Sequence, residues 1–448
     1  MAQRLFGTDG VRGLANHEVT AELALKLGRA AASYFSRHFD GKPKIFIGRD
    51  TRLSGHMLEA ALAAGICSAG GEAHILGVMP TPAVAYLTAN SADVSAGVVI
   101  SASHNSFEDN GIKFFSCLGT KLHDEVEDEI QKILDEEDLS KNPAGKDIGI
   151  VVQRPGLAAD YADYVVKMSN TNLSGLKIVI DCANGAAYEL APLIFRSLGA
   201  EVIVIHNDPD GININDNCGS THMEDLQLQV LKHKADVGIA HDGDADRCLL
   251  VDEKGNIVDG DQMMLICALE LMREGRLFEN TLVTTVMSNI GLHAAIKKHG
   301  GKCAVTAVGD RYVLEEMNKS GYNLGGEQSG HIIFGDIVTT GDGLVTATQV
   351  LRSMVRNNKA LSDLACLMTR YPQVLINVRV KNKAGWETNA EIQKAIEHAE
   401  KVLGENSRIL VRASGTEHLI RVMAEGADQR ALDEQTSYIA SIVEQEMG

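Results

Sequence analysis

From residue 44 onward the chain repeats one pattern: a short apolar run rich in β-branched residues, a polar loop, then a segment with apolar residues at helical spacing. KIFIGRD (44–50) precedes HMLEAALAAGICSAG (56–70), LKIVIDCANG (176–185) precedes APLIFRSLGA (191–200), and TLVTTVMSN (281–289) precedes GLHAAIKKHG (291–300). Buried strands covered by helices accommodate this alternation, so an α/β fold class is expected. GRD, SASHN, DCANG, HDGDADR, SNIG and VGDRY all fall just past an apolar run, where open α/β sheets place their ligands.

A chain of 448 residues exceeds what one core organises. Turn-rich interruptions at KNPAGKDIG (141–149), RPG (154–156), EKGNIVDG (253–260) and Tyr371-Pro372 divide it into four blocks. Residues 1–152, 153–254 and 255–370 are expected as α/β domains, and 371–448, which opens with the alternating VLINVRV, as a smaller α+β domain. The acidic run 123–140 carries Val126, Ile130, Ile133 and Leu134 at helical spacing, so its charges are expected to form a solvated helix face.

Composition narrows the function classes. A net charge of −18 disfavours nucleic acid and anionic membrane as partners, so a phosphorylated ligand must be held by local arginines, lysines or backbone amides. Aromatic content of 4% leaves little for base stacking or aromatic sugar faces. Eight cysteines without a CxxC pair fit reduced thiols. No run approaches the ~18 apolar residues of a membrane span, and the opening MAQRLFGTDGVRG lacks a secretory pattern, so a cytoplasmic location is expected. Oligomeric state is left open, a homodimer included.

The loops carry the chemistry. In VSAGVVISASHN (94–105) a buried run stops at Ser101, Ser103 and His104. A lone serine in such a place is ordinarily a loop hydroxyl, and no G-x-S-x-G elbow, Walker loop or G-x-G-x-x-G turn occurs in the chain. In HDGDADR, Asp242, Asp244 and Asp246 alternate at spacing two, which turns three carboxylates the same way and suits a hard cation such as Mg²⁺. An EF-hand is rejected, since Arg247 stands where glycine is needed and VGIA and CLLV read as strands. An aspartyl-phosphate phosphatase using Asp242 as nucleophile stays open. GGEQSGH (325–331) offers Glu327 and Ser329 for sugar hydroxyls. RASGTEHLIR (412–421) sets Arg412, Ser414, Gly415 and Thr416 together, either as an anion nest or as a plain turn. FGTDGVRG (6–13) and GIKFF (111–115) add Arg12 and Lys113.

Taken in order, FGTDGVRG, GRDTRLSG, ISASHN, GIKFF, NINDNCGSTH, HDGDADR, VGDRYV, GGEQSGH and RASGTE resemble the α-D-phosphohexomutase superfamily, from residue 5 to about 425. The resemblance implies three related mixed-sheet α/β domains and a smaller C-terminal α+β domain around a central cleft. It implies that Ser103 carries a phosphoryl group and that Asp242, Asp244 and Asp246 hold Mg²⁺, which also touches the phosphoserine oxygen. Arg12, Lys113 and Arg247 are then expected around the transferring group, with Lys113 and His331 as candidates for proton transfer and His104 as a loop-orienting residue. Glu327 and Ser329 are expected on ring hydroxyls, and Arg412, Ser414, Gly415, Thr416 and Arg421 on the phosphate that does not react. The implied reaction interconverts the 6- and 1-phosphates of glucosamine through a bisphosphate and feeds amino-sugar nucleotide and cell-wall precursor synthesis, with mannose or glucose phosphates as alternative substrates. Ser106 and His418 stand where the superfamily often has proline; they replace no expected ligand and bear on loop stiffness alone.

Overall fold

The strand Lys44–Arg49 lies inside a six-stranded mixed sheet whose order is Val11–Leu14, Asp109–Ser116, Ala96–Ile100, Lys44–Arg49, Glu72–Val78, Val151–Gln153. This is a computed structural model, and it describes residues 4–7, 9–136, 142–404, 407–414 and 418–448. Lys44–Arg49 runs parallel to both neighbours, while Asp109–Ser116 is antiparallel to Ala96–Ile100 and to Val11–Leu14. Every residue of Ala96–Ile100 is buried, as expected of an apolar run without alternation. Helices Ala21–His38 and Gly55–Ser68 pack with their backbones almost touching: a Cβ on Gly28 would lie 2.3 Å from the Leu62 carbonyl oxygen, and one on Gly65 would lie 2.0 Å from that of Leu25.

Two further sheets follow the same plan. One has the order Ile257–Val258, Cys248–Asp252, Val237–His241, Lys177–Asp181, Glu201–Ile205, the other Lys302–Thr306, Thr281–Thr285, Leu324–Gly326, Ile332–Phe334. Each combines parallel pairing with an antiparallel hairpin, Val237–His241 with Cys248–Asp252 and Leu324–Gly326 with Ile332–Phe334. The chain thus contains three mixed-sheet α/β layers and a C-terminal α+β part. It separates into two compact units, Met1–Val286 with Cys303–Cys366, and Met287–Lys302 with Leu367–Gly448. In the smaller unit the antiparallel sheet Gln373–Arg379, Leu419–Glu425, Arg408–Ala413 packs with helices Ala390–Leu403 and Gln429–Met447 around Val378, Ile392, Val422 and Ile439.

The acidic segment forms the helix Asp124–Asp135 with Ile130 fully buried, but its charged face is not simply solvated. Asp124 accepts from Arg4 and from Arg311, each at 2.8 Å, and Glu127 is buried against Arg4. Among the described residues no helix is long and apolar enough to cross a membrane.

Candidate active site

The buried strand Ala96–Ile100 ends in a loop that presents a single hydroxyl. Ser103 has φ +50°, a left-handed conformation that costs a non-glycine residue about 1–2 kcal/mol unless its surroundings hold it. Those surroundings are specific. Ser101 Oγ donates to Asp50 Oδ2 at 2.6 Å and accepts the Ser103 amide at 3.0 Å. Arg52 Nη2 donates to the carbonyls of Ser103 and Asn105, each at 2.9 Å, and Asn215 Nδ2 reaches the same two oxygens at 2.9 Å. The Ser103 hydroxyl then donates to Asp242 Oδ2 at 2.6 Å, across 139 residues of sequence. His104 Nδ1 lies 3.4 Å from that hydroxyl and 3.2 Å from Arg247 Nη1. Burial, then Arg247 and Arg12, hold its imidazole neutral, with the pKa down to about 4.

Asp242, Asp244 and Asp246 occupy the turn of the hairpin Val237–His241/Cys248–Asp252, all three buried, with one oxygen of each within 4.8 Å of the others. At such spacing a pair of carboxylates repels by about 4 kcal/mol even at an effective dielectric of 20. Burial, then Asp246 and Asp244, accordingly push the Asp242 carboxyl well above its usual range. For Asp246 burial works in the same direction but is outweighed by His331, Lys113 and Arg247, which hold it low. Thr81 Oγ1 donates to Asp244 Oδ2 at 2.7 Å and the Arg247 amide to Asp242 Oδ1 at 3.3 Å. Asp244 Oδ1 and Asp246 Oδ1 are buried with no hydrogen-bond donor. Two orphaned oxygens in a repelling trio, beside a serine hydroxyl, form a hard donor set whose chemistry suits a divalent metal ion.

The cations around the trio are arranged in an alternating chain that the motifs alone did not reveal. Lys113 Nζ lies 3.2 Å from Asp244 Oδ2 and 2.9 Å from Asp9 Oδ2; Lys121 Nζ lies 2.6 Å from Asp9 Oδ1 and 2.6 Å from Asp310 Oδ2. His331 closes the path, with Nε2 3.6 Å from Asp310 and Nδ1 3.5 Å from Asp246. Burial opposes the Lys113 charge, but Asp244 and Asp9 outweigh it and raise its pKa, so the amine stays protonated. His331 is raised to about 8, its burial outweighed by Asp246 and Asp310. Arg12 Nη2 pairs with Asp9 at 2.9 Å, and Arg247 Nε lies 3.9 Å from Asp246.

Glu327 and Ser329 sit in the turn between Leu324–Gly326 and Ile332–Phe334; Glu327 is half-buried and accepts the Gly309 amide at 3.1 Å, while Ser329 is exposed. This turn abuts the acidic hairpin: the Cys248 amide donates to the Gly330 carbonyl at 3.2 Å, and a Cβ on Gly330 would be 2.0 Å from the Cys248 oxygen. Ser103, Lys113, Arg12, Arg247, His331, Glu327, Ser329 and the three aspartates therefore all belong to the larger unit. In the smaller unit Arg412 and Arg421 stand opposite each other on adjacent strands, and burial, then Arg421, lowers the Arg412 pKa. Ser414 is buried there, and Lys383 donates to its carbonyl at 2.8 Å. Gly415 and Thr416 lie outside the described residues.

Asp9, Lys121, Asp310, Arg52 and Asn215 were not singled out from sequence, where each reads as an ordinary polar loop residue. A second group, Asp181, His206 and Cys218, brings three potential ligands together. Here the Asp181 oxygens already accept the Ala183 and Gly219 amides at 2.8 and 2.9 Å, and His206 lies between Asp181 and Asp225 at 3.0 and 3.4 Å. The group ties three loops together.

A fold of three mixed-sheet α/β layers and a C-terminal α+β part has counterparts among known proteins. Family models described as phosphoglucomutase/phosphomannomutase match along the chain: α/β/α domain I at residues 3–141, domain II at 159–255, domain III at 259–371 and the C-terminal domain at 375–442. The chain belongs to the phosphoglucomutase/phosphomannomutase family. Its curated relatives include proteins named phosphoglucosamine mutase from Symbiobacterium thermophilum and Clostridium novyi, each 54% identical with 99% of both chains covered. Among solved structures, a phosphoglucomutase/phosphomannomutase family protein from Burkholderia thailandensis superposes with a TM-score of 0.82 at 24% identity, covering 99% of this chain and 98% of that one. An Aspergillus fumigatus N-acetylphosphoglucosamine mutase, solved with GlcNAc-6P and magnesium, gives 0.72 at 18% identity, covering 99% and 96%. Both structural likenesses speak to the fold.

Proposed function

We infer that the chain is an isomerase-class phosphotransferase that interconverts glucosamine 6-phosphate and glucosamine 1-phosphate, the activity carried in the names of its relatives. The observation that carries this reading is the 2.6 Å bond from Ser103 Oγ to Asp242. A hydroxyl so placed at the edge of a metal-ready carboxylate trio is suited to carry a phosphoryl group. We assign Asp242, Asp244, Asp246 and the Ser103 oxygen as ligands of Mg²⁺, which when bound supplies charge to the transferring phosphoryl oxygens.

Phosphoryl transfer needs alignment and charge neutralisation more than covalent assistance. In this reading phosphoserine 103 gives its group to O1 of glucosamine 6-phosphate: the Ser103 O–P bond breaks, the P–O1 bond forms, and the O1 proton leaves to a nearby base. The Ser103 oxygen takes up a proton; the bisphosphate then turns over, the O6–P bond breaks as the Ser103 O–P bond re-forms, and the serine proton passes by way of the base to O6, releasing glucosamine 1-phosphate. Arg12, Lys113 and Arg247 neutralise the group in flight. His331, between two carboxylates, is assigned to proton transfer; Lys113, held protonated by Asp244 and Asp9, supplies charge instead. Glu327 and Ser329 are assigned to ring hydroxyls, and the Arg412/Arg421 pair with Ser414, Gly415 and Thr416 to a phosphate. We further place the protein in the cytoplasm, supplying amino-sugar nucleotide and cell-wall precursor synthesis, with a homodimer as the assembly to test by light scattering.

Ser103→Ala is expected to lower turnover of glucosamine 6-phosphate by about 10⁴-fold or more with the fold intact. The purified wild-type protein should show a mass increment of about 80 Da on the peptide containing Ser103. Label on Asp242 instead, with net phosphate release, is what an aspartyl-phosphate phosphatase would give. Sugar choice is tested by kcat/KM for glucosamine, glucose and mannose 6-phosphates; glucosamine phosphate as the poorest substrate would overturn the assignment.

A further inference from the structure

The loop that follows the strand Lys44–Arg49 contains a guanidinium with no access to solvent. Arg52 is fully buried, and all five of its N–H donors are committed: Nε to Asp50 Oδ2 at 2.8 Å, Nη2 to the carbonyls of Ser103 and Asn105, and Nη1 to those of Ser106 and Asp109. Four carbonyls drawn from residues 103–109 therefore converge on one planar group. Their dipoles repel, and only a cation with spread donors can hold them together; the single ammonium of lysine has three donors about a point and cannot span the same set.

The clamp is oriented on its far side as well. Asp50 Oδ1 accepts the Arg52 amide at 3.0 Å, and Asp50 Oδ2 accepts the Ser101 hydroxyl, whose oxygen in turn accepts the Ser103 amide. Both the N–H and the C=O of Ser103 are thus tied to the Asp50/Arg52 pair. A buried pair of this kind gains little stability over apolar filling; what it provides here is a fixed turn. The Ser103 carbonyl is pressed against the acidic hairpin so closely that a Cβ on Gly243 would lie 2.6 Å from it, and Asn215 adds two further donors to the Ser103 and Asn105 oxygens.

We propose that Arg52 is a positioning residue for phosphoryl transfer, its guanidinium gathering the Ser103, Asn105, Ser106 and Asp109 carbonyls so that the Ser103 oxygen is held against the acidic trio. This rests on the reading of Ser103 as the phosphorylated residue. Arg52 is fully buried and its bonds go to Asp50 and backbone carbonyls alone, so its effect is expected on the chemical step and not on sugar binding.

The test is a kcat-against-KM split on full-length enzyme with saturating Mg²⁺. Arg52→Lys, which keeps the charge and loses the fork, is expected to lower kcat by about 100-fold, the cost of roughly 1 Å of misplacement, with KM for glucosamine 6-phosphate within about threefold. Asn215→Ala, which removes two donors from the same carbonyls and exposes no charge, is expected to lower kcat by about tenfold at unchanged KM. It carries the test should Arg52→Lys fail to fold. A folded Arg52→Lys or Asn215→Ala enzyme with wild-type kcat, or one whose loss lies in KM, overturns the proposal even if its melting temperature has dropped. Ser103→Ala is assayed in parallel: its retaining turnover would overturn the underlying reading, whereas a dead Ser103→Ala beside an unimpaired Arg52→Lys removes the clamp alone.

Discussion

The two halves of the candidate site are built on opposite principles. Around Ser103 the polar groups form a closed set: the amide, the carbonyl and the hydroxyl are bonded, and Arg52 and Asn215 fill the neighbouring carbonyls. A few ångströms away the acidic hairpin is left open, with two buried oxygens lacking donors and an Asp242 whose ionisation is opposed by burial and by its neighbours. A saturated network resists displacement, whereas an unsaturated one gains free energy only when a cation arrives. Rigidity and charge are thus assigned to different loops: the protein's own hydrogen bonds hold the hydroxyl, whereas the acidic trio calls for a counter-charge.

The largest effect that sharpens this contrast comes from Asp242→Asn. Losing one ligand of the trio is expected to lower kcat by about 10³-fold. In chelator at pH 8, however, the melting temperature should rise, because a repelled buried carboxylate has become neutral. A fall in both would mean that the trio is stabilised without a cation, and the contrast would vanish. Next in size, Mg²⁺ should stabilise the wild-type protein by about 2.7 kcal/mol at 100 times its Kd, read as a concentration-dependent melting temperature. Asp242→Asn should lose most of that dependence, and Ser103→Ala, which removes one neutral oxygen ligand and leaves all three carboxylates, should lose less of it.

The smaller unit carries charge of the opposite sign, with Arg412 and Arg421 facing each other on adjacent strands. Arg412→Ala is expected to raise KM for the sugar phosphate by about tenfold with a smaller change in kcat, since it removes binding shared by ground and transition states. A pure kcat loss would move this arginine into the chemistry.

What was legible in the sequence follows from the same contrast. Ser103 and the HDGDADR aspartates could be read because hydroxyls and carboxylates interrupt runs that are otherwise buried, Ala96–Ile100 and Val237–His241. Arg52 could not, because GRDTR looks like any polar loop and its partners lie about fifty residues on. Nor could the Asp9–Lys121–Asp310 chain. Asp9 comes near Lys113 through the pairing of Val11–Leu14 with Asp109–Ser116, where Arg12 faces Gly111, and no local pattern announces that register. The alternation of strand and helix gave away the layers, yet nothing in it shows that 287–302 groups with 367–448, since a helix after a strand reads the same wherever it packs.

A final effect concerns what supports the open side. Asp342 caps the helix Gly343–Asn357 through the Val345 amide at 2.9 Å and accepts the Tyr161 hydroxyl at 2.7 Å. The next residue, Gly343, donates to the Ala245 carbonyl at 3.0 Å, so this turn underlies the acidic hairpin. Burial, opposed by these hydrogen bonds, leaves the Asp342 carboxyl pushed up to about 6. A carboxyl raised on folding gives its full stability below its unfolded pKa, about 3.9, and loses it as pH rises through the folded value. Between about pH 4 and pH 6 this one group should therefore cost the native state on the order of 2–3 kcal/mol. Asp342→Asn keeps an oxygen for the helix cap and cannot ionise. With Mg²⁺ saturating, the difference in melting temperature between Asp342→Asn and wild type should grow more positive from pH 4 to pH 7. Parallel profiles across that range would mean that the turn beneath the hairpin ionises freely, and that the open side of the site rests on a support as well satisfied as the serine loop.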